Sequence, residues 1–143
     1  MNYAKVCGLL FMVLASTLSH ALCSLNVSSV NFGAYDVFNM SPLDSTGTVD
    51  VSCLPRAAIT VTFSQGIGNY NNRRMMYGTN RLNYNLYRNA ARNRILGDGS
   101  ASTEFFQANN VRNRSFTIYG RVPARQNVPA GIYSDLIVVT LTF

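Results

Sequence analysis

Apolar side chains fall on every second residue through most of this chain, and that spacing restricts the fold more than any other feature. Residues 131–143 show it best. Gly131 breaks the preceding segment, and Ile137, Val139, Leu141 and Phe143 then share one face at period two. The opposite face opens apolar at Leu136 and Val138 and turns polar at Thr140 and Thr142. This reads as one long strand running to the last residue, with an edge that needs a partner. The same alternation recurs upstream. It places Val49, Val51 and Cys53 on one face, and after an interruption at Pro55 it resumes with Ile59, Val61 and Phe63. Leu82, Tyr84 and Leu86 form another set, and Phe116, Ile118 and Gly120 a further one. Residues 24–33 begin with alternation and close at Asn31-Phe-Gly33. Residues 39–47 and 123–131 read as loops, and Gly97-Asp-Gly-Ser100 as a tight turn. Short strands at this spacing, with no helical period among them, predict an all-β, two-sheet antiparallel β-sandwich.

The first residues are expected to lie outside that fold. Lys5 precedes a nine-residue apolar run over 6–14, and a Ser/Thr-rich segment ends at Ser19-His20-Ala21. This is the pattern of a signal peptide over 1–21 for export by the Sec pathway, with cleavage after Ala21 as first choice. A cut after Ala15 also meets the small-residue rule, whereas acylation of Cys23 is disfavoured by the bulky Leu22 before it. The apolar run is too short to span a bilayer, which takes about 20 residues. Residues 22–143 form one domain of ordinary size.

Export decides the chemistry that remains. Cys7 leaves with the leader, so in an oxidising compartment Cys23 and Cys53 have only each other and are expected to pair. The only lysine and the only histidine leave as well, so eleven arginines face six acids. No Ser–His–Asp triad, Cys–His dyad or His/Cys metal set can be built from such a chain, so neither an enzyme nor a cofactor is expected. Asp98 and Glu104, six apart around a Gly-Ser turn, read as solvated loop acids rather than a paired-carboxylate site. Segment 69–94 is the most distinctive by composition, with six arginines among Tyr70, Tyr77, Tyr84 and Tyr87. Arg73, Arg74, Tyr77 and Arg81 are its candidate contacts for an anionic glycan or surface, in preference to nucleic acid. The plainer reading, a solvated arginine-rich sheet face with Tyr84 and Leu86 in the core, is preferred.

Several motifs occur in a telling order: Cys23, Val30-Asn-Phe-Gly-Ala-Tyr35, Gly47-Thr-Val-Asp-Val-Ser-Cys53, Arg74-Met-Met, Leu82-Asn-Tyr-Asn-Leu-Tyr-Arg88, Leu96-Gly-Asp-Gly99, Phe116-Thr-Ile-Tyr-Gly-Arg121 and Gly131-Ile-Tyr-Ser-Asp135. From Cys23 to Phe143 the chain resembles the spore coat protein U domain family, which includes the subunits of archaic chaperone–usher pili. The resemblance implies an incomplete immunoglobulin-like antiparallel β-sandwich that lacks its final strand. It implies that a periplasmic chaperone lends a strand and that the next pilus subunit replaces it at an outer-membrane usher. The fibre would serve surface adhesion and biofilm formation. On the same footing Cys23 and Cys53 form the family disulfide, and Leu136, Ile137, Val139, Leu141 and Phe143 belong to the strand that walls the acceptor groove. Asp135 is expected to make a turn or edge hydrogen bond. Leu96 stands where the family often has tryptophan. Polymerising subunits carry a donor segment before the first cysteine, whereas a cut after Ala21 leaves Leu22 alone there and a cut after Ala15 leaves 16–22. The expectation is a subunit that accepts a strand without donating one, as at the distal end of a fibre. The alternatives are a coat protein of spores or capsule, and a glycan-binding module using 69–94.

Intact mass of the exported protein is expected to place its first residue at Leu22; a mass beginning at Ser16 would instead leave room for a short donor segment.

Overall fold

The computed structural model of the chain describes residues 20–143; residues 1–19, with the expected apolar leader and the Ala15 cut, lie outside the described residues. Among residues 20–143 there is no helix. Seven antiparallel strands follow in order: β1 Leu22–Val27, β2 Leu43–Phe63, β3 Gly68–Asn69, β4 Asn72–Tyr77, β5 Asn80–Tyr87, β6 Phe106–Val122 and β7 Val139–Thr142. Hydrogen bonding runs β1-β2-β6-β5-β4-β3, with β7 joined to the far half of β2. The sheet folds over itself so that Val49, Ile59, Phe63, Leu86, Phe106 and Ile118 share one buried core. This is an immunoglobulin-like β fold, as the alternation and the resemblance led us to expect.

β2 and β6 are the long members. β2 carries β1 along residues 49–54 and β7 along residues 60–63, both on the edge opposite β6. Cys23 and Cys53 lie directly across the β1–β2 ladder with their Cα atoms 4.1 Å apart, and they form the expected disulfide. The bond staples an edge strand to the backbone of the fold and closes a loop of 30 residues.

The structure differs from the sequence reading in four places. β1 ends at Val27, short of the close expected at Asn31-Phe-Gly33. β2 begins at Leu43, so the second half of the expected 39–47 loop is strand, paired from Leu43 to Val122 onward. Pro55 does not end a strand. It sits where the β2–β6 register shifts between Ser52 and Ala57, a stretch that needs no donor from its nitrogen. The terminal strand is also shorter than expected. Only 139–142 pair as β7, and 131–138 bond to the rest of the fold through the isolated Met76–Ser134 bridge, the Asp135 carboxylate and a pair of bonds to Ser64.

The largest fully buried side chain is Arg73 on β4, at 0% exposure. Its Nη1 donates to Asn85 Oδ1 (2.7 Å), and Nη2 donates to the carbonyls of Ser64 (2.8 Å) and Leu96 (2.7 Å). The guanidinium lies over the Tyr70 ring at 5.3 Å, while its Nε has no hydrogen-bond partner among the described residues. Burial pushes its pKa below the ordinary arginine value, opposed by Tyr84, Tyr70 and Asp135. Arginine is suited to this place because its fork reaches three acceptors on three segments at once.

Replacing Arg73 by methionine fills the space but strands the Ser64 and Leu96 carbonyls. We expect a loss of about 2–4 kcal/mol in urea unfolding of the disulfide-intact protein, with Arg73→Lys recovering little of it. An unchanged midpoint in Arg73→Met would contradict this account.

Candidate functional site

A cleft of about 900 Å³ opens on one side of the core. Its floor is apolar and comes from four strands: Phe63 of β2, Met75 of β4, Leu82, Tyr84 and Leu86 of β5, and Ile118 and Val122 of β6. One wall is residues 27–38, after β1, and the other is residues 128–137, continuing to Val139 at the start of β7. Both walls follow the sheet without being strands of it.

The first wall leaves the ladder at Ser28, whose N–H donates to Thr48 O at 2.9 Å. Beyond it, among the described residues, 29–38 make no strand pairing. Their main chain meets local partners, such as Asn31 Oδ1 for Gly33 N–H and Asp36 Oδ1 for Phe38 N–H, and reaches the sheet where the hydroxyl of Ser45 on β2 donates to Asn31 O. Two glycines of the sheet seat this wall. A Cβ on Gly47 would lie 2.7 Å from Ser28 O, and one on Gly120 would lie 2.7 Å from both Phe32 Cζ and Val30 Cγ1. The close approach sets Phe32 edge-on against Tyr84, with ring centroids 6.0 Å apart. At the far end, Tyr35 OH donates to Pro123 O (2.8 Å) and accepts from Gln126 N–H (2.9 Å). Gln126 in turn exchanges two side-chain bonds of 2.8 Å with the Asn83 main chain, acting as a one-residue strand at the edge of β5.

The second wall is pinned at intervals. Gly131 lies flat on the Tyr77 ring, which also packs against Tyr133 at 5.8 Å. Ser134 and Met76 exchange main-chain bonds of 3.2 and 2.8 Å. Asp135 reaches the phenol of Tyr84 and the amide of Ile67. Val138 and Ser64 close the series: Ser64 N–H donates to Val138 O, and Val138 N–H donates to the Ser64 hydroxyl, each at 2.9 Å. Large apolar side chains stand exposed on the rim: Phe38 (89%), Ile132 (87%) and Leu136 (80%).

Of the expected groove residues, Leu136, Ile137 and Val139 line this cleft. Leu141 pairs with Val61 and packs on the core outside it, and Phe143, the last residue, is 55% exposed. The expected anionic contacts do not converge. Arg73 is buried, so it cannot reach a surface ligand. Arg74 and Arg81 point from the other face of the β4–β5 hairpin, and Tyr77 packs beneath the second wall at Gly131. Other arginines of 69–94 are paired: Arg88 and Arg94 with Glu104, and Arg92 with Asp44, which also binds Arg121 through both oxygens. The sequence reading took 24–33 as a strand closing at Asn31-Phe-Gly33, whereas β1 ends at Val27, and it gave no role to the glycines beneath this wall. The Val30–Tyr35 motif was the only sign of the wall, since such a stretch with no regular alternation offers nothing else to read.

Comparison with known proteins places the chain in context. The profile of the spore coat protein U domain family matches residues 9–140. Protein U of Myxococcus xanthus is 32% identical over 129 residues, covering 80% of this chain and 72% of that protein. Among solved structures, one similar chain comes from the CsuC–CsuE chaperone–tip adhesion subunit pre-assembly complex of the archaic chaperone–usher Csu pili of Acinetobacter baumannii. It matches at a TM-score of 0.64 and 22% identity over 87% of this chain, which spans 40% of the matched one. That likeness is one of fold.

Gly120→Ala is expected to lift the first wall off the sheet, because Phe32 and Val30 must both give way. A loss of about 1–3 kcal/mol in urea unfolding would register it. If stability and the Phe32–Tyr84 ring contact both survive, glycine is not what seats this wall.

Proposed function

Taking as premise that the chain belongs to the spore coat protein U domain family, we propose that it is an exported structural subunit of an archaic chaperone–usher pilus, completed by a β-strand from another chain. The observation that supports this reading is the pair of walls, 27–38 and 128–139, standing on either side of an apolar floor without a ladder along most of their length. A strand laid between them would find main-chain donors and acceptors on both sides and would turn alternate side chains onto Leu82, Tyr84, Leu86 and Ile118. At ~3.3 Å per residue, a strand of about eight to ten residues spans walls of this length, and half of its side chains face down. Each apolar side chain that it buries contributes about 1.5–3 kcal/mol.

The donor is first a periplasmic chaperone and then a neighbouring pilus subunit at the outer-membrane usher, and the finished fibre lies at the cell surface in adhesion and biofilm formation. The role is structural rather than enzymatic. A second reading, a coat protein of spores or capsule, draws on the family description and on the likeness to Protein U. Recovery of the protein in a spore coat, with no fibre at the cell surface, would favour it.

Capture by a co-expressed chaperone of the archaic chaperone–usher type tests the main reading. Val139→Asp places a charge on the groove wall and is expected to abolish co-purification. Leu136→Asp, on the exposed rim and harmless to the core, is expected to weaken it at least about tenfold, the equivalent of losing one apolar anchor. Co-purification of both variants at the wild-type yield would show that no strand enters here.

A further inference from the structure

We propose that Asp135 is a positioning residue for strand entry, its carboxylate clamping the second wall to the groove floor and to the turn after β2 before any strand arrives. This rests on the acceptor reading above and deepens it by naming what readies the groove. Residues 135–137 belong to no strand, and the nearest main-chain anchors are Ser134 on Met76 and Val138 on Ser64. Between these anchors Ile137 packs on the core, and the polar contacts of the wall all pass through one side chain. Asp135 Oδ2 accepts from Tyr84 OH at 2.7 Å, Oδ1 accepts from Ile67 N–H at 3.1 Å, and Oδ1 accepts from Leu136 N–H at 2.7 Å. The three donors belong to β5, to the turn that follows β2, and to the wall itself. Leu136 and Ile137, on either side of the groove edge, take their places from this contact.

The surroundings are fitted to a carboxylate. Gly66 has φ +61°, and a Cβ there would overlap the Asp135 carboxylate and lie 2.6 Å from Ile137 Cδ1, so only glycine lets the turn come this close. Tyr84 is buried, and burial together with its bond to Asp135 drives the phenol pKa upward, which keeps it a donor. Arg73, opposite Tyr84 in the β4–β5 ladder, supplies a buried positive charge on the same side. Hydrogen bonds to an ionised acceptor are roughly twice as strong as neutral ones, so an amide of the same shape would hold the wall less firmly. A wall fixed in advance does not have to be ordered as the strand docks. That saving belongs to the encounter and not to the finished complex, where the strand's own ladder holds the wall.

The test uses disulfide-intact protein with a fluorescein-labelled twelve-residue peptide of alternating valine and threonine, lysine at each end, followed by stopped-flow anisotropy. Asp135→Asn is expected to slow association about tenfold and Tyr84→Phe several-fold, with dissociation changed by less than about twofold. Amide exchange at Ile67 and Leu136 is expected to quicken in Asp135→Asn. Because Tyr84→Phe keeps the carboxylate and its two amide bonds, it serves if Asp135→Asn folds poorly. Wild-type uptake with unchanged association in both variants would overturn the clamp alone, as would faster dissociation with association untouched. A wild-type protein that takes up neither the peptide nor a chaperone strand would overturn the acceptor reading and the clamp with it.

Discussion

Every other element of this fold takes its place from the pairing of β2 with β6. β1 and β7 hang from one edge of β2 and β5 from the far edge of β6, so an error of one residue in the central ladder would turn the core to solvent. The ladder is not regular. Between the Ser52–Asn113 and Ile59–Ala108 pairs, β2 advances seven residues while β6 advances five. The excess is two, an even number, and that is why the irregularity is harmless. Val49 and Val51 before it, Cys53 at its start, and Ile59, Val61 and Phe63 after it all remain buried on the same face. Pro55, which no regular central strand would tolerate, sits inside the irregular stretch.

The two groove walls are held on different terms. A strand in a ladder is secured by its own backbone, and its side chains are free to vary within the alternation. Here the backbone of 29–38 has no such support, and the work passes to particular side chains and to places where a side chain is missing. Gly47 and Gly120 let the first wall lie against the sheet, and the hydroxyl of Tyr35 ties down its end. Gly131, Ser134, Asp135 and Val138 do the same for the second wall at four separate points. The motif residues Phe32, Tyr35, Gly131 and Asp135 thus lie where the chain is not a regular strand, and Gly47 and Gly120 lie in the strands beneath such a stretch.

That distribution explains what could be read in the sequence. Alternation reports burial on one face of a paired strand, so the inner residues of β2, β5 and β6 were legible, as was the disulfide once the expected loss of Cys7 with a leader left two cysteines. It says nothing where pairing is replaced by point contacts. Residues 131–138 alternate well enough to look like the start of β7, yet Ile132 and Leu136 are exposed and only 139–142 are paired. Leu43 to Gly47 carries the composition of a loop, and it is strand because β6 extends far enough to pair with it. Arg73 was the most misleading residue. Among six neighbouring arginines it looks like surface charge, and nothing local marks the inward side of β4, because Arg74 follows it directly. Only the register with Tyr84 and the carbonyls of Ser64 and Leu96 reveals that it faces inward.

An apolar floor between two loosely paired walls tends to close on itself, since each large side chain withdrawn from water contributes about 1.5–3 kcal/mol. For the groove to stay open, collapse must break something of comparable worth. Hydrogen bonds to charged groups are worth about 1.5–3 kcal/mol each, and Asp135 accepts such bonds from Tyr84, Ile67 and Leu136. Folding the second wall inward would exchange the two bonds from Tyr84 and Ile67 for the burial of one or two side chains, a trade without net gain. Tyr35 sets a similar limit on the first wall through Pro123 and Gln126. An inserted strand escapes the trade altogether, because it covers the floor while both sets of polar contacts remain intact. The polar residues beside the groove therefore favour a partner from outside over closure from within.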